Sequence, residues 1–336
     1  MRCLKMLVFL PLLAAISCVK GSSISPVGSY SDIVLVTETG KSGGLNDYII
    51  RELQHQLDYY SKMEIQFKLR MISAEDLRDE PPTKNMVIFG VARQGEIGRV
   101  IEGYIGTNAV RKVLEGTNHI FKKMNYPGPG QLTVIVTASS PENLRAVAVE
   151  NGAIIRDIIE ESNRERLRAN LLLDENTALE DQLKAKYGFS LRVPSLYELN
   201  QEKPDIPGIE LVRVQPHRGL TVSWKQWTRG SLSPADSTIL YDLRGDLAWK
   251  MYDKDVMRKD LVFYHEGALG PYTAVRMEGY WENSEDLYGG PFVCFFIQDR
   301  IRARIWMVDC LVYAPGFDKH TLLRELISVA ETFRIN

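Results

Sequence analysis

The sequence predicts an α+β fold: an N-terminal α/β layer with alternating strands and helices, followed by a largely antiparallel sheet with two helices. Three observations predict it. Valine- and isoleucine-rich runs alternate with helical periods through the first half, and short apolar strands dominate the second. All five tryptophans, Trp224, Trp227, Trp249, Trp281 and Trp306, fall after residue 188. Large aromatics are first of all core material, so their one-sided placement marks a change of domain.

Taken in order, residues 32–37 are a Val/Ile run of the kind that forms a buried strand. Thr39-Gly40-Lys41-Ser42-Gly43-Gly44 breaks it. Residues 45–60 then place Leu45, Ile49, Leu53, Leu57 and Tyr60 on one helical face. Residues 64–72 alternate, with Ile65, Phe67, Leu69 and Met71 on one side. A strand at 85–91 and short helices at 96–104 and 107–114 follow. Strands at 120–126 and 131–138 are joined by Pro127-Gly128-Pro129-Gly130. Pro141 opens a helix over 142–161, and further helices are predicted at 164–173 and 178–187. Beyond Gly188, strands are predicted at 189–193, 209–214, 220–228, 237–243, 272–277, 292–298 and 304–313. Helices are predicted at 253–264 and 318–332.

The first eighteen residues are of another kind. Arg2 and Lys5 precede an uncharged apolar run from Met6 to Ile16, and Ala15-Ile16-Ser17 lead into Cys18. Basic start, apolar core and small-residue exit are the anatomy of a secretory signal. Eleven residues rise only ~16 Å as a helix, about half a bilayer core. The segment resembles the lipobox of bacterial lipoproteins, which implies that Cys18 receives a lipid and becomes the first mature residue. An ordinary cleaved signal would leave the protein untethered; Cys18 at the exit position favours lipidation. The predicted organisation is a signal peptide over 1–17 and a lipidated cysteine with flexible tether over 18–30. An N-terminal α/β domain over 31–188 and a C-terminal α+β domain over 189–336 complete it.

Removing the leader leaves 319 of 336 residues, with 39 basic against 43 acidic side chains. That balance argues against a dedicated nucleic-acid binder. Arg164, Arg166 and Arg168 lie among Glu160, Glu161 and Glu165, the pattern of a solvated, salt-bridged helix face. Arg300, Arg302 and Arg304 alternate across an expected hairpin tip. Cys294 and Cys310 fall on consecutive strands. Whether they bridge or stay separate buried thiols depends on register, so the pair is a disulfide candidate only.

Familiar catalytic signatures are missing. Gly40-Lys41-Ser42 approximates a phosphate loop, but Leu35 stands where that loop needs glycine. No Gly-x-Ser-x-Gly elbow occurs. His55, His119, His217, His265 and His320 are dispersed without zinc spacing, so no metal and no cofactor are expected. The remaining constellation is Glu278-Gly279-Tyr280-Trp281-Glu282 followed by Tyr288-Gly289-Gly290-Pro291-Phe292. Paired carboxylates can do acid–base work once their environments split their pKa values. Glu278 and Glu282 are the catalytic candidates, and Trp281, Gly289 and Gly290 the ligand-binding ones. Strand ends also need glycine for backbone reasons alone, which accounts for Gly289-Gly290 without a ligand.

These residues carry a family resemblance. Tyr187-Gly188-Phe189-Ser190-Leu191-Arg192-Val193-Pro194, Arg258-Lys259-Asp260, Gly279-Tyr280-Trp281-Glu282, Gly289-Gly290-Pro291-Phe292, Val312-Tyr313-Ala314-Pro315, Lys319 and Arg324 carry it. Together the chain resembles an uncharacterised family of Bacteroidota lipoproteins classed as domain of unknown function 4837. The resemblance implies a lipoprotein and leaves the activity open. Surface-exported lipoproteins of that group often carry an acidic cluster after the cysteine, and none stands here. The expectation is therefore a cell-envelope protein, lipid-anchored through Cys18 in the outer membrane and facing the periplasm. Its expected role is non-catalytic binding or assembly with another envelope protein or cell-wall component. One alternative is a cell-wall or glycan-acting hydrolase or transferase using Glu278 and Glu282. The other is glycan capture by exposed tryptophans.

Overall fold

Asp32–Thr37 forms β1, and every residue after Asp32 is buried. A computed structural model describes residues 25–57, 64–201, 206–252, 254–283, 285 and 288–336. The signal segment, Cys18 and Tyr60 lie outside the described residues. Helix α1 (Asn46–Leu53) follows, burying Ile49 and Leu53, and then β2 (Lys68–Ser73) and β3 (Asn85–Val91). Helices α2 (Gly95–Ile105) and α3 (Thr107–Leu114) lead to a hairpin of β4 (Ile120–Met124) and β5 (Leu132–Ala138). These strands make one sheet in the order β2-β1-β3-β5-β4, parallel except for β4. Strands β3 and β5 are buried at every position, because helices cover both faces of the sheet.

Helix α4 (Pro141–Leu171) packs Leu144, Ala148, Ile155 and Ile159 into the core shared with α1. Ser140 caps it by accepting from Asn143 N, and Pro141 pre-sets its first turn. The two helices expected at 142–161 and 164–173 are one uninterrupted helix. Ser162 and Asn163 look like a break in sequence, but both are buried and bonded. Asn163 Nδ2 donates to Tyr30 O at 2.7 Å. Helix α5 (Thr177–Tyr187) ends at Gly188 in the left-handed region and packs Leu179 and Leu183 into the second core.

The second half begins with β6 (Phe189–Ser190), β7 (Glu198–Gln201), β8 (Gly208–Arg213) and β9 (His217–Gln226). Helix α6 (Ser237–Met251), β10 (Asp255–Leu269), β11 (Tyr272–Asn283), β12 (Gly289–Asp299) and β13 (Arg304–Tyr313) follow. Helix α7 (Lys319–Ala330) and a short β14 (Arg334–Ile335), which pairs with β6, close the chain. Seven strands form an antiparallel sheet in the order β10-β11-β12-β13-β9-β8-β7. Helix α6 covers one face of it, while α5 and α7 cover the other.

Two expected elements are reversed. Residues 237–243, read as a strand, begin α6, where Leu240, Arg244, Leu247 and Met251 are buried at helical spacing. A Ser233–Asp236 capping box starts the turn that leads into it. The β-branched Thr238 and Ile239 suggested a strand only because the window was too short to show that period. Residues 253–264, read as a helix, belong to β10. Its register against β11 is irregular between Met257 and Val262, and this broke the alternation that would have marked a strand.

Candidate functional site

The sheet register decides the fate of several candidates. Glu278 and Glu282 lie on β11, four residues apart and therefore on one face, but separated by about 13 Å along the strand. Glu278 is buried and sits 2.5 Å from Arg276 Nε. Glu282 is half-exposed, with Arg258 Nη1 3.9 Å away. Gly289 and Gly290 pair with Glu282 and Trp281. A Cβ on Gly290 would lie 1.8 Å from Val312 O, and one on Gly289 2.4 Å from Trp281 O. Both glycines are thus required by strand packing. Trp281 is buried among Tyr288, Tyr313 and the α6-side core. Trp227 and Trp306 are buried and Trp224 half-buried; Trp249, at 55% exposure, is the one exposed tryptophan.

The disulfide candidate is removed by register. Cys294 stands opposite Asp309, and Cys310 opposite Val293. Adjacent positions on paired strands point to opposite faces, so Cys294 enters the α6-side core and Cys310 the α7-side core. Both thiols are free and fully buried.

The arginine cluster on α4 also departs from expectation. Its partners are distant in sequence rather than the neighbouring glutamates. Arg164 Nε and Arg168 Nη1 donate to the two oxygens of Glu331, at 2.7 and 2.5 Å. Arg166 bonds Lys84 O, Gly130 O, Asn85 Oδ1 and Asn163 Oδ1. Burial lowers its pKa to about 10, although Tyr30 and Glu165 oppose the shift. Glu160 is enclosed by α7. It accepts from Arg324 Nε and Nη2, both at 2.7 Å, and lies 2.9 Å from His320 Nε2. Burial works to raise the Glu160 pKa, but Arg324 and His320 outweigh it and hold it well below the usual carboxylate value.

Between α4, the β10–β11 hairpin and the chain end lies a cleft of about 1080 Å³. Gly270 (φ +57°) at the hairpin turn makes room for Arg334, whose Nη1 lies 2.5 Å from where a Cβ would stand. Five arginines line the cleft, and each is held by the chain itself. Arg164 and Arg168 hold Glu331, and Arg276 holds Glu278. Arg192 pairs with Glu175, and Arg334 donates to the carbonyls of Glu331 and Phe333. The carboxylates of Asp157, Glu165 and Glu266 remain exposed at the rim. Such a cleft can hold a cationic or donor-rich ligand; its own cations are already committed.

Open parallel sheets usually take ligands at the carboxyl ends of strands where the order reverses, here β1 and β3. The protein's own Glu38 fills that position, accepting from Glu96 N and Ile97 N at 3.2 and 2.8 Å at the start of α2. In the Gly40-Lys41-Ser42 turn, Gly40 N instead donates to Thr37 Oγ1 at 3.0 Å. Among the described residues, no three His, Cys, Asp or Glu side chains gather as a metal site.

The polar face that α7 turns toward α4 has a sequence signature. Thr321, Arg324 and Ser328 of α7 and Glu331 at its C-terminal cap recur at helical spacing. A polar stripe of that kind reads as a solvated face. Here it faces α4.

Residues 236–332 match a family described as Domain of unknown function (DUF4837). The matched segment runs from the start of α6 through β10–β13 and α7. No curated protein matches the chain. Among solved structures, the chain is similar to the Ran-binding protein Mog1p of Saccharomyces cerevisiae at 11% identity and a TM-score of 0.31, over 44% of this chain and 90% of that one. It is also similar to LpqN, involved in cell envelope biogenesis of Mycobacterium tuberculosis, at 17% identity and a TM-score of 0.29. That match covers 44% of this chain and 83% of LpqN.

Proposed function

We propose, for a chain whose residues 236–332 carry the DUF4837 domain, a lipid-anchored cell-envelope protein that binds or assembles with another envelope component without catalysing a reaction. The anchor is Cys18, with the body facing the periplasm from the outer membrane. Among the described residues no helix is long and apolar enough to cross a membrane. The observation that carries the binding reading is the state of the cleft. Its arginines are all hydrogen-bonded or ion-paired within the chain, seven carboxylates against five arginines line it, and Asp157, Glu161, Glu165 and Glu266 are exposed. The partner is therefore a positively charged or donor-rich segment of an envelope protein or cell-wall component. The spacing of Glu278 and Glu282 supports a non-catalytic role. Carboxylates that flank a glycosidic bond stand roughly 5–10 Å apart, and only Glu278 of this pair lines the cleft.

Two experiments test the two parts. Cys18→Ala should move the protein from the membrane fraction to the soluble one; unchanged membrane association overturns the anchor. A photo-crosslinker at Ala268, inside the cleft, should give a discrete adduct in cells, and Asp157→Lys with Glu266→Lys should abolish it. An adduct indifferent to that charge reversal overturns the binding site.

A further inference from the structure

We propose that the β4–β5 hairpin tip, residues 125–130, together with Pro26 and Val27, is the face that rests on the membrane, against anionic phospholipid headgroups. The proposal rests on Cys18 as the anchor.

Tether length and chain path carry it. Six residues lie between Cys18 and Ser25, so the seven Cα steps reach at most ~25 Å even fully extended. The chain then enters the fold at one defined place. Val27 N donates to Pro82 O at 2.8 Å, and Lys84 N to Val27 O at 3.2 Å. Pro26 Cγ lies 3.5 Å from where a Cβ on Gly130 would stand, so the chain arrives beside the hairpin tip. A lipid on Cys18 would hold this end of the molecule within that short distance of the bilayer.

The surface there has the chemistry of a headgroup contact. Val27, Met124 and Tyr126 are exposed large apolar side chains at 49%, 37% and 40%. Lys123 Nζ sits 4.6 Å over the Tyr126 ring, and that ring packs edge-on against Tyr104 at 5.1 Å. Lys122 is exposed and pairs loosely, at 4.0 Å, with the exposed Glu161. Tyrosine with lysine is the combination that settles at headgroup depth, the ring in the interface and the ammonium toward phosphate. The tip is also held in shape. Asn125 N donates to Gln131 O, Gly130 N to Asn125 Oδ1, and Thr133 Oγ1 to Tyr126 O, at 2.8, 2.8 and 2.7 Å.

The test uses the full lipidated chain on vesicles of phosphatidylethanolamine and phosphatidylglycerol. Cys294 and Cys310 are fully buried, so a thiol-reactive fluorophore reports on one introduced cysteine, either Pro129→Cys at the tip or Ile301→Cys on the other sheet. Nitroxide-labelled lipid should quench the label at 129 several-fold more than the label at 301. Adding Lys122→Glu, Lys123→Glu and Tyr126→Ser should remove the excess quenching while the protein still floats with the vesicles. Floating protein with equal quenching at both positions overturns the face. Protein that does not float overturns the anchor, and the face with it.

Discussion

Two adjacent residues of α7, Arg324 and Glu325, reach different parts of the molecule. Arg324 turns toward the first half and binds Glu160 of α4, while Glu325 turns toward the second sheet. There it accepts from Tyr197 Oη at 2.7 Å and from Arg213 Nη1 and Arg218 Nε at 3.0 Å each. All of α7 from Leu323 to Ala330 is buried. The apolar residues of that helix serve the second sheet, and its polar stripe serves α4. Thr321 Oγ1 lies 3.1 Å from Ser31 Oγ, and Glu331 holds Arg164 and Arg168. The seam between the halves is thus closed by charge, whereas α7 meets the second sheet through apolar packing together with the buried Glu325–Arg218 pair. Charge pairs are specific in geometry but costly when one partner is removed.

The largest effect should come from breaking the seam. Arg324→Met leaves Glu160 buried with His320 as its remaining ionisable partner, and should cost about 3–5 kcal/mol in denaturant unfolding. Adding Glu160→Gln should recover much of that loss, because it removes the stranded charge. A double variant as unstable as the sum of the singles would mean the pair is not a unit. Glu325→Gln strands Arg218, whose side chain is 2% exposed, and should cost a comparable ~3–5 kcal/mol, with the amide oxygen recovering part of it. A much smaller loss at Glu325 would mean that apolar residues, and not this pair, hold α7 to the second sheet.

The same contrast explains how much the sequence revealed. Strands β1, β3, β5, β12 and β13 were legible because each is an apolar run buried on both faces. The exchange of strand and helix at α6 and β10 came from a short window and an irregular register. The seam was not legible, because Arg164, Arg168 and Glu160 bond residues more than 160 positions away. Only folding shows that the Arg164 and Arg168 face meets Glu331 and not its own neighbours. Glu278 and Glu282 looked like a pair in one dimension, but the extended strand draws them apart.

Acid should loosen the seam. The Glu160 pKa is lowered in the folded protein, against about 4.3 in the unfolded chain. Its contribution is therefore complete above the unfolded value and is lost as pH falls toward the folded one. The loss is at most about 1.4 kcal/mol per pH unit for this one group. Thermal unfolding of wild type and Glu160→Gln should differ most near neutrality, and the two curves should converge below roughly pH 4. Curves that stay parallel into acid would mean that Glu160 carries no charge-dependent stability.

The smallest effect concerns the two faces of the second sheet. Cys294 and Cys310 are neighbours across β12 and β13, yet one lies in the α6-side core and the other in the α7-side core. Burial, with the Asp309 charge adding to it, pushes both thiols well above their ordinary pKa. Neither can attack as a thiolate or reach the other while the sheet is intact. Reductant should therefore leave the melting temperature unchanged, and a maleimide should react at these positions only after unfolding. If the Arg324→Met variant opened the seam alone, Cys294 would stay protected, because α6 and its core lie on the face away from α7. Equal labelling of both thiols in that variant would show instead that seam and sheet unfold as one unit.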